Sequence, residues 1–394
     1  MMNSSTSTSR RQWLRRAALT GAGLAAIPSL KLTATPRTVN KSSFREYLPQ
    51  LEWERSLAKR PPLKARMLAN ENPYGPSPKC IEAVAQSAPA GNRYQHEAAA
   101  ELQKMIADFE GVPTDHIMVT PGSSDVLEKM AIVHFLEGGN VVAADPAYMS
   151  LIKVVMGMGG TWNKVKVTDD WAHDLPAMQK AINEETKMVY ICNPNNPTGT
   201  LTDNDELKSF CREVSSDVPV FVDEAYLEFL PDYKSKTMVP LILEGNNVIV
   251  ARTFSKIHGM AGLRVGYAVA LPETIEKVAQ ISRGNMGLCK TSLEGAMASM
   301  KDTDFQEASR TQTAAFREQV YAGLEGMGLE YVPSHTSFVL FPIDMAGENF
   351  LEGMFDRGIG VRSFDIHGKN YCRVSVGKPE EVDMFLSALQ EVLV

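Results

Sequence analysis

Thr253-Phe-Ser-Lys256-Ile-His-Gly-Met-Ala-Gly-Leu-Arg264-Val-Gly-Tyr267 is the stretch from which the rest of the chain can be read. It sets one lysine in a Gly-rich loop, with an arginine eight positions later. An amine there can form a Schiff base with an aldehyde. The hydroxyls of Thr253 and Ser255 and the guanidinium of Arg264 can hold a phosphate beside it. Pyridoxal 5'-phosphate (PLP) carries an aldehyde and a phosphate on one ring, so the loop has the chemistry that this cofactor needs. A Ser-Lys pair alone carries little, because most lysines are solvated surface charge.

Outward from that loop, apolar strand-like runs alternate with longer helical patterns. Strands are expected over 117–120, 141–144, 164–167, 188–192, 220–222, 248–251 and 265–270, and helices over 98–109, 125–136, 175–182 and 205–214. Strands separated by helices predict an α/β domain on a largely parallel sheet. After about Arg283 the pattern changes. A long helical stretch (291–324) precedes two short apolar runs (336–341 and 371–376) and a final helix (379–394), which predicts a smaller α+β domain. The Gly157-Met-Gly159-Gly160 cluster precedes a strand and does not connect a strand to a helix, so it does not fit a dinucleotide-binding turn.

The remaining chemistry sits at strand ends, where open α/β sheets collect ligands. Thr120-Pro-Gly122-Ser123-Ser124-Asp125 follows a strand and opens a helix, which suits a phosphate and equally suits an ordinary Ser/Asp N-cap. Asp145-Pro-Ala-Tyr148 follows the next strand, and Tyr148 can stack on a ring or fill a core. Asn193-Pro-Asn-Asn196-Pro197-Thr-Gly199 is more specific: two Asn-Pro pairs and a glycine fix a turn that presents an amide. In Val222-Asp223-Glu224-Ala225-Tyr226, a carboxylate at a strand end can keep a pyridine nitrogen protonated, and Tyr226 can donate to the ring's phenolic oxygen.

In this order the segments resemble fold-type I PLP-dependent aminotransferases, nearest to the histidinol-phosphate aminotransferase branch. The likeness runs from about Leu68 to the C-terminus and includes Leu68-Ala-Asn-Glu71-Asn-Pro-Tyr74-Gly-Pro-Ser-Pro78 and Arg93-Tyr94. It implies a large domain on a mostly parallel seven-stranded sheet flanked by helices, and a smaller α+β domain. The expected boundaries are 35–90 for an N-terminal arm and part of the small domain, 91–285 for the PLP-binding domain and 286–394 for the small domain. By that likeness Lys256 is the Schiff-base lysine and Asp223 the partner of the ring nitrogen. Asn196 and Tyr226 contact the ring oxygen, and Tyr148 stacks on the ring. Ser123, Ser124, Thr253, Ser255 and Arg264 surround the phosphate, with Tyr94 reaching it from the second subunit of a homodimer. Arg373 clamps a substrate carboxylate, while Tyr74 and Arg362 line the side-chain pocket. The implied reaction moves an amino group from an amino donor to a 2-oxo acid in ping-pong turnover. A PLP-dependent decarboxylase of a phosphorylated amino acid and a catalytically inert PLP-binding protein are the alternatives. Gln95 stands where the branch usually has proline, and His258 where it often has an aromatic or small residue.

Composition narrows the classes further. A chain of 394 residues with 44% apolar and 22% charged residues is long enough for two domains of ordinary globular type. A net charge of −7 with no basic block beyond the N-terminus argues against nucleic acid as a partner. The cysteines are odd in number and scattered, and the histidines lack metal-ligand spacing, so no disulfide framework or metal site is expected. Residues 1–34 have a different character. Ser9-Arg10-Arg11-Gln12-Trp13-Leu14 followed by a mild Ala/Gly/Leu stretch, with no acidic residue before Glu46, resembles a twin-arginine export signal; a disordered basic tail is the other reading. The signal implies passage through the twin-arginine translocase to the periplasm or another exported location, and a cytoplasmic protein if the leader does not function.

Overall fold

The computed structural model describes residues 62–393. The export-signal segment lies outside the described residues, as does most of the expected arm. Near the start, the short strand β1 (Ala65–Arg66) precedes the main sheet. That sheet contains β2 (Ile117–Thr120), β3 (Asn140–Asp145), β4 (Thr161–Lys166), β5 (Thr186–Cys192), β6 (Val220–Asp223), β7 (Val248–Thr253) and β8 (Gly266–Val269), in the order β2-β8-β7-β6-β5-β3-β4. Neighbours from β7 through β4 pair in parallel, and β8 runs antiparallel to β7 and β2. Six strands therefore point the same way, and the expected mostly parallel, seven-stranded sheet is present.

Side-chain alternation distributes the strand residues between two cores. Val142, Val189, Val220, Val222 and Val250 face one side and pack with Leu102, Leu207 and Leu293 from helices. Val141, Ala143, Met188, Phe221 and Ile249 face the other side and meet Leu127, Leu151 and Val278. Both faces are covered, which is why the central strands read as continuous apolar runs.

A second sheet holds β9 (Phe338–Pro342), β11 (Arg362–Ile366) and β12 (Lys369–Ser375), antiparallel in the order β11-β12-β9, while β10 (Ile359–Gly360) pairs with β1 in parallel. Ala65, Met67, Val339, Phe341 and Val374 form its core with Phe350 and Phe385 from covering helices. The long helical stretch divides into Lys290–Met300 and Thr303–Gly326. Asp302, at φ −99° and ψ 65°, leaves helical geometry, and its carboxylate pairs with Lys79 at 2.9 Å. The first of the two helices packs into the main-sheet core through Leu293, Ala296 and Met297, so the main packing unit extends past the expected change near Arg283. Gly295 permits that approach: a Cβ there would lie 2.9 Å from a Val84 methyl and 3.1 Å from the Cys80 sulfur.

Candidate active site

The parallel strands end at one edge, and their last residues and the following loops line a cavity of about 480 Å³. Asp223 ends β6, Thr253 ends β7, and Ser123 begins the helix Ser123–Phe135 three residues after the end of β2. Tyr148 follows β3, and Asn196 follows β5. From the opposite wall come Leu68–Glu71 and, on the small sheet, Arg362 and Arg373. The strand ends of the main sheet supply one wall, and Leu68–Glu71 with the small sheet supply the other.

One end of the cavity is an anion seat. Gly122 caps the Ser123 helix at φ +88° and carries no side chain, so no side-chain oxygen caps the first turn. A Cβ on Gly122 would lie 2.4 Å from Arg264 Nη2, so only glycine lets the guanidinium lie against this turn. Thr253 Oγ1 donates to Ser255 Oγ at 3.0 Å, and Arg264 Nη1 donates to the same oxygen at 3.4 Å. Hydroxyls, a helix N-terminus and a fixed cation together match a phosphate.

At the centre, Lys256 Nζ donates to the carbonyls of Ala69 (3.2 Å) and Asn70 (3.1 Å). Burial, reinforced by the Arg373 charge, pulls its pKa down to about 8. The Asp223 carboxylate accepts from Ala225 N–H (3.1 Å) and the Tyr190 hydroxyl (3.3 Å), and burial still raises its pKa to about 6. A cation placed against Asp223 would stabilise its ionised form. The Tyr226 hydroxyl accepts from Asn70 Nδ2 at 2.9 Å and Asn196 Nδ2 at 3.4 Å, and burial holds its pKa above the ordinary phenol value.

At the far wall, Arg373 Nη1 donates to Asn196 Oδ1 at 2.6 Å and Nη2 to the Leu68 carbonyl at 3.0 Å. Its guanidinium lies over Phe338 and Phe364, and burial brings its pKa down to about 10. Its Nε is buried without a partner among the described residues.

Twelve sequence-predicted residues are brought together here: Ser123, Ser124, Tyr148, Asn196, Asp223, Tyr226, Thr253, Ser255, Lys256, Arg264, Arg362 and Arg373 line the cavity, leaving Tyr74 and Tyr94 outside it. Tyr74 stacks on Phe316 at 6.2 Å beneath Lys378 and does not line this cavity. In the turn Asn72–Gly75 the Tyr74 N–H donates to Asn72 Oδ1 at 3.0 Å and the Gly75 N–H to the Asn72 carbonyl at 3.1 Å. Tyr94 is 73% exposed on the surface. Three contributors were not anticipated as site residues: Asn70, Glu71 and Tyr190. The first two stand inside the Leu68–Pro78 motif, which marked them without roles; Tyr190 is hidden in an apolar strand run.

A lysine with a lowered pKa, a buried carboxylate and a phosphate seat in one cavity fit PLP, whose groups these residues would hold at Lys256, Asp223 and the Ser123–Arg264 end. The comparisons agree. The sequence profile of the aminotransferase class I and II family matches residues 64–389. The histidinol-phosphate aminotransferase of Akkermansia muciniphila is 35% identical over 374 residues, covering 93% of this chain and 100% of that protein. The crystal structure of histidinol-phosphate aminotransferase from Sinorhizobium meliloti in complex with pyridoxal-5'-phosphate is similar at a TM-score of 0.78 and 27% identity, over 84% of this chain and 91% of that one. L-Threonine-O-3-phosphate decarboxylase from Porphyromonas gingivalis shares the fold alone, at a TM-score of 0.72 and 20% identity over 84% of this chain and 99% of that one. With the cavity, the strand-end residues and these likenesses in agreement, the chain belongs to the class I and II aminotransferases, enzymes that move amino groups with PLP.

Proposed function

We propose that the amino donor is a phosphorylated amino alcohol or amino acid of the histidinol-phosphate kind and the acceptor a 2-oxo acid. The observation that carries this reading is the Lys256–Arg373 arrangement, a base and an anion clamp in one cavity. Bound PLP supplies an electron sink for the electrons released at the substrate Cα. Lys256 Nζ, with its lowered pKa, takes the Cα proton as general base and later returns it as acid. Asp223 would balance positive charge on the ring nitrogen, and the Tyr226 hydroxyl with Asn196 would hold the ring's phenolic oxygen. Ser123, Ser124, Thr253, Ser255 and Arg264 would hold the phosphate end, and Tyr148 would stack on the ring. Arg373 orients the carboxylate of the 2-oxo acid, its planar fork suiting two parallel hydrogen bonds.

The test is a titration of the PLP-loaded protein with a panel of donors, histidinol phosphate included, followed in the visible spectrum. Loss of the absorption band with one donor and its return on adding a 2-oxo acid supports the reading. Release of CO2 without any acceptor would replace it with decarboxylation, and a band that no donor alters would favour the inert PLP-binding protein.

The homodimer belongs to the same proposal: the exposed Tyr94 reaches the phosphate end of a second copy's cavity. Sedimentation with and without Tyr94→Ala, together with PLP affinity, checks this. Export is also proposed, supported by the Arg10-Arg11 leader and its apolar follower. Among the described residues no helix is long and apolar enough to cross a membrane. Fractionation of cells carrying the chain with Arg10→Lys and Arg11→Lys changes tests the route; unchanged location would end that part of the proposal.

A further inference from the structure

Resting on the reading of the cavity as a PLP site, we propose that Asn70 is a positioning residue. Oriented by Ser375, it works with Asn196 to aim the Tyr226 hydroxyl proton into the cavity, at the phenolic oxygen of the bound ring.

The directions of four hydrogen bonds carry this. The Asn70 N–H donates to Ser375 Oγ at 2.8 Å, and Ser375 Oγ donates to Asn70 Oδ1 at 2.8 Å. With the serine proton on the amide oxygen, Nδ2 is the end that faces Tyr226, 2.9 Å from its hydroxyl oxygen. Asn196 is fixed by the same logic. A guanidinium only donates, and Arg373 Nη1 lies 2.6 Å from Asn196 Oδ1, which turns Nδ2 toward Tyr226 at 3.4 Å. Both amides therefore donate to one phenol oxygen. That fills its acceptor capacity, and its own proton has to point in a third direction. Tyr226 lines the cavity.

The two orienting groups share an origin. Arg373 and Ser375 stand two residues apart on β12, so their side chains leave the same face of the small sheet. The Ser375 N–H donates to the Met67 carbonyl at 2.9 Å and Arg373 Nη2 to that of Leu68 at 3.0 Å, so β12 holds the segment 67–70 from end to end. Asn70 itself is 2% exposed and left-handed at φ +54°, a conformation that asparagine tolerates better than most residues. The small sheet thus reaches the phenol of the main-sheet loop through two amides.

A hydrogen bond donated to the ring's phenolic oxygen favours the charged form of that oxygen. It therefore lowers the pH at which the absorption band of bound PLP shifts. The experiment titrates that band with pH in PLP-loaded wild type, Asn70→Gly, Asn70→Asp, Ser375→Ala, Tyr226→Phe and the double variant Tyr226→Phe with Asn70→Gly. Glycine accepts the left-handed backbone and removes the amide, while aspartate keeps the shape and accepts the Tyr226 proton. The expected midpoint rises by roughly 0.5–1 pH unit in Asn70→Gly. Asn70→Asp raises it further and Ser375→Ala less. Tyr226→Phe also raises it, and adding Asn70→Gly to that variant then moves it little. An unshifted midpoint in Asn70→Gly, or an equal shift with and without the Tyr226 hydroxyl, overturns the proposal. If Asn70→Gly fails to fold, the neutral change Ser375→Ala decides by its shift in the same way. The underlying reading fails differently: wild type would show no PLP band, or Tyr226→Phe would keep the wild-type midpoint, and either result removes the proposal with it.

Discussion

Asp223 and Glu224 are consecutive buried carboxylates, and they differ in almost everything else. Asp223 lines the cavity with one backbone N–H and one tyrosine hydroxyl as partners, and its pKa rises to about 6. Glu224 points the other way and is held by Arg252 at 3.0 Å, Thr237 at 2.9 Å and the Met238 N–H at 2.7 Å. The same contrast recurs on β7, where Thr253 faces the cavity and Arg252, 1% exposed, is buried beside Glu224 with Glu110 at 3.6 Å. Alternation along the strand ends thus separates a reactive face from a scaffold face. On the scaffold face charges are matched, and removing one partner leaves an expensive orphan. On the reactive face charges are left under-matched, which costs stability and leaves them ready for cofactor and substrate.

The largest effect that sharpens this contrast is at Lys256. Replacement by alanine is expected to lower turnover by roughly 10⁴-fold or more, because base and cofactor attachment are lost together. The same change stabilises the PLP-free chain at pH 7. The folded lysine pKa lies at about 8, below its ordinary value of 10.5, so its buried charge is a cost below pH 8 that fades as pH rises from 8 to 10.5. Turnover assays and denaturant melts of the PLP-free form check both signs.

Next is Glu224→Gln, which leaves Arg252 without its nearest carboxylate. The expected loss is about 3–5 kcal/mol in urea unfolding with an unchanged m-value. A loss as small as that of an exposed carboxylate would break the comparison.

Asp223→Asn, one residue away, should go in the opposite direction. Its folded pKa is raised from 3.8 to about 6, so its contribution to stability is complete below pH 3.8 and is lost as pH rises through 6. At pH 7 the asparagine variant of the PLP-free chain is expected to be about 1–3 kcal/mol more stable, and roughly 10²-fold slower in turnover.

The smallest effect is in pH dependence. The rate at which the PLP-free chain takes up PLP follows the neutral fraction of Lys256. Between pH 7 and 9 it should rise roughly tenfold, with a midpoint near 8. A midpoint near 10.5 would show that the lysine is not desolvated.

The seven strands of the main sheet, and the helices after β2 and β5, were legible because periodicity and strand-end turns are local signals. Several elements were not: the helices Pro78–Ser87, Ser150–Gly157, Pro272–Ala279 and Gly347–Asp356, and the strand Arg362–Ile366, carried no expectation. Ser150–Gly157 is short and mostly apolar, so it reads equally well as part of a strand.

By itself the sequence determined the order of chemistry along the chain: a turn before a helix, an Asn-Pro turn, a carboxylate, a lysine and an arginine, each at a strand end. That order survives folding because parallel strands deliver their C-terminal ends to one edge. Only the tertiary structure decided what closes over them. Arg373 meets Asn196 across 177 residues, Asn70 meets Tyr226 across 156, and Tyr74 turns away from the cavity that its motif helps to roof. No local pattern specifies such contacts. They follow from how the second sheet packs against the first, and packing is a property of the whole chain.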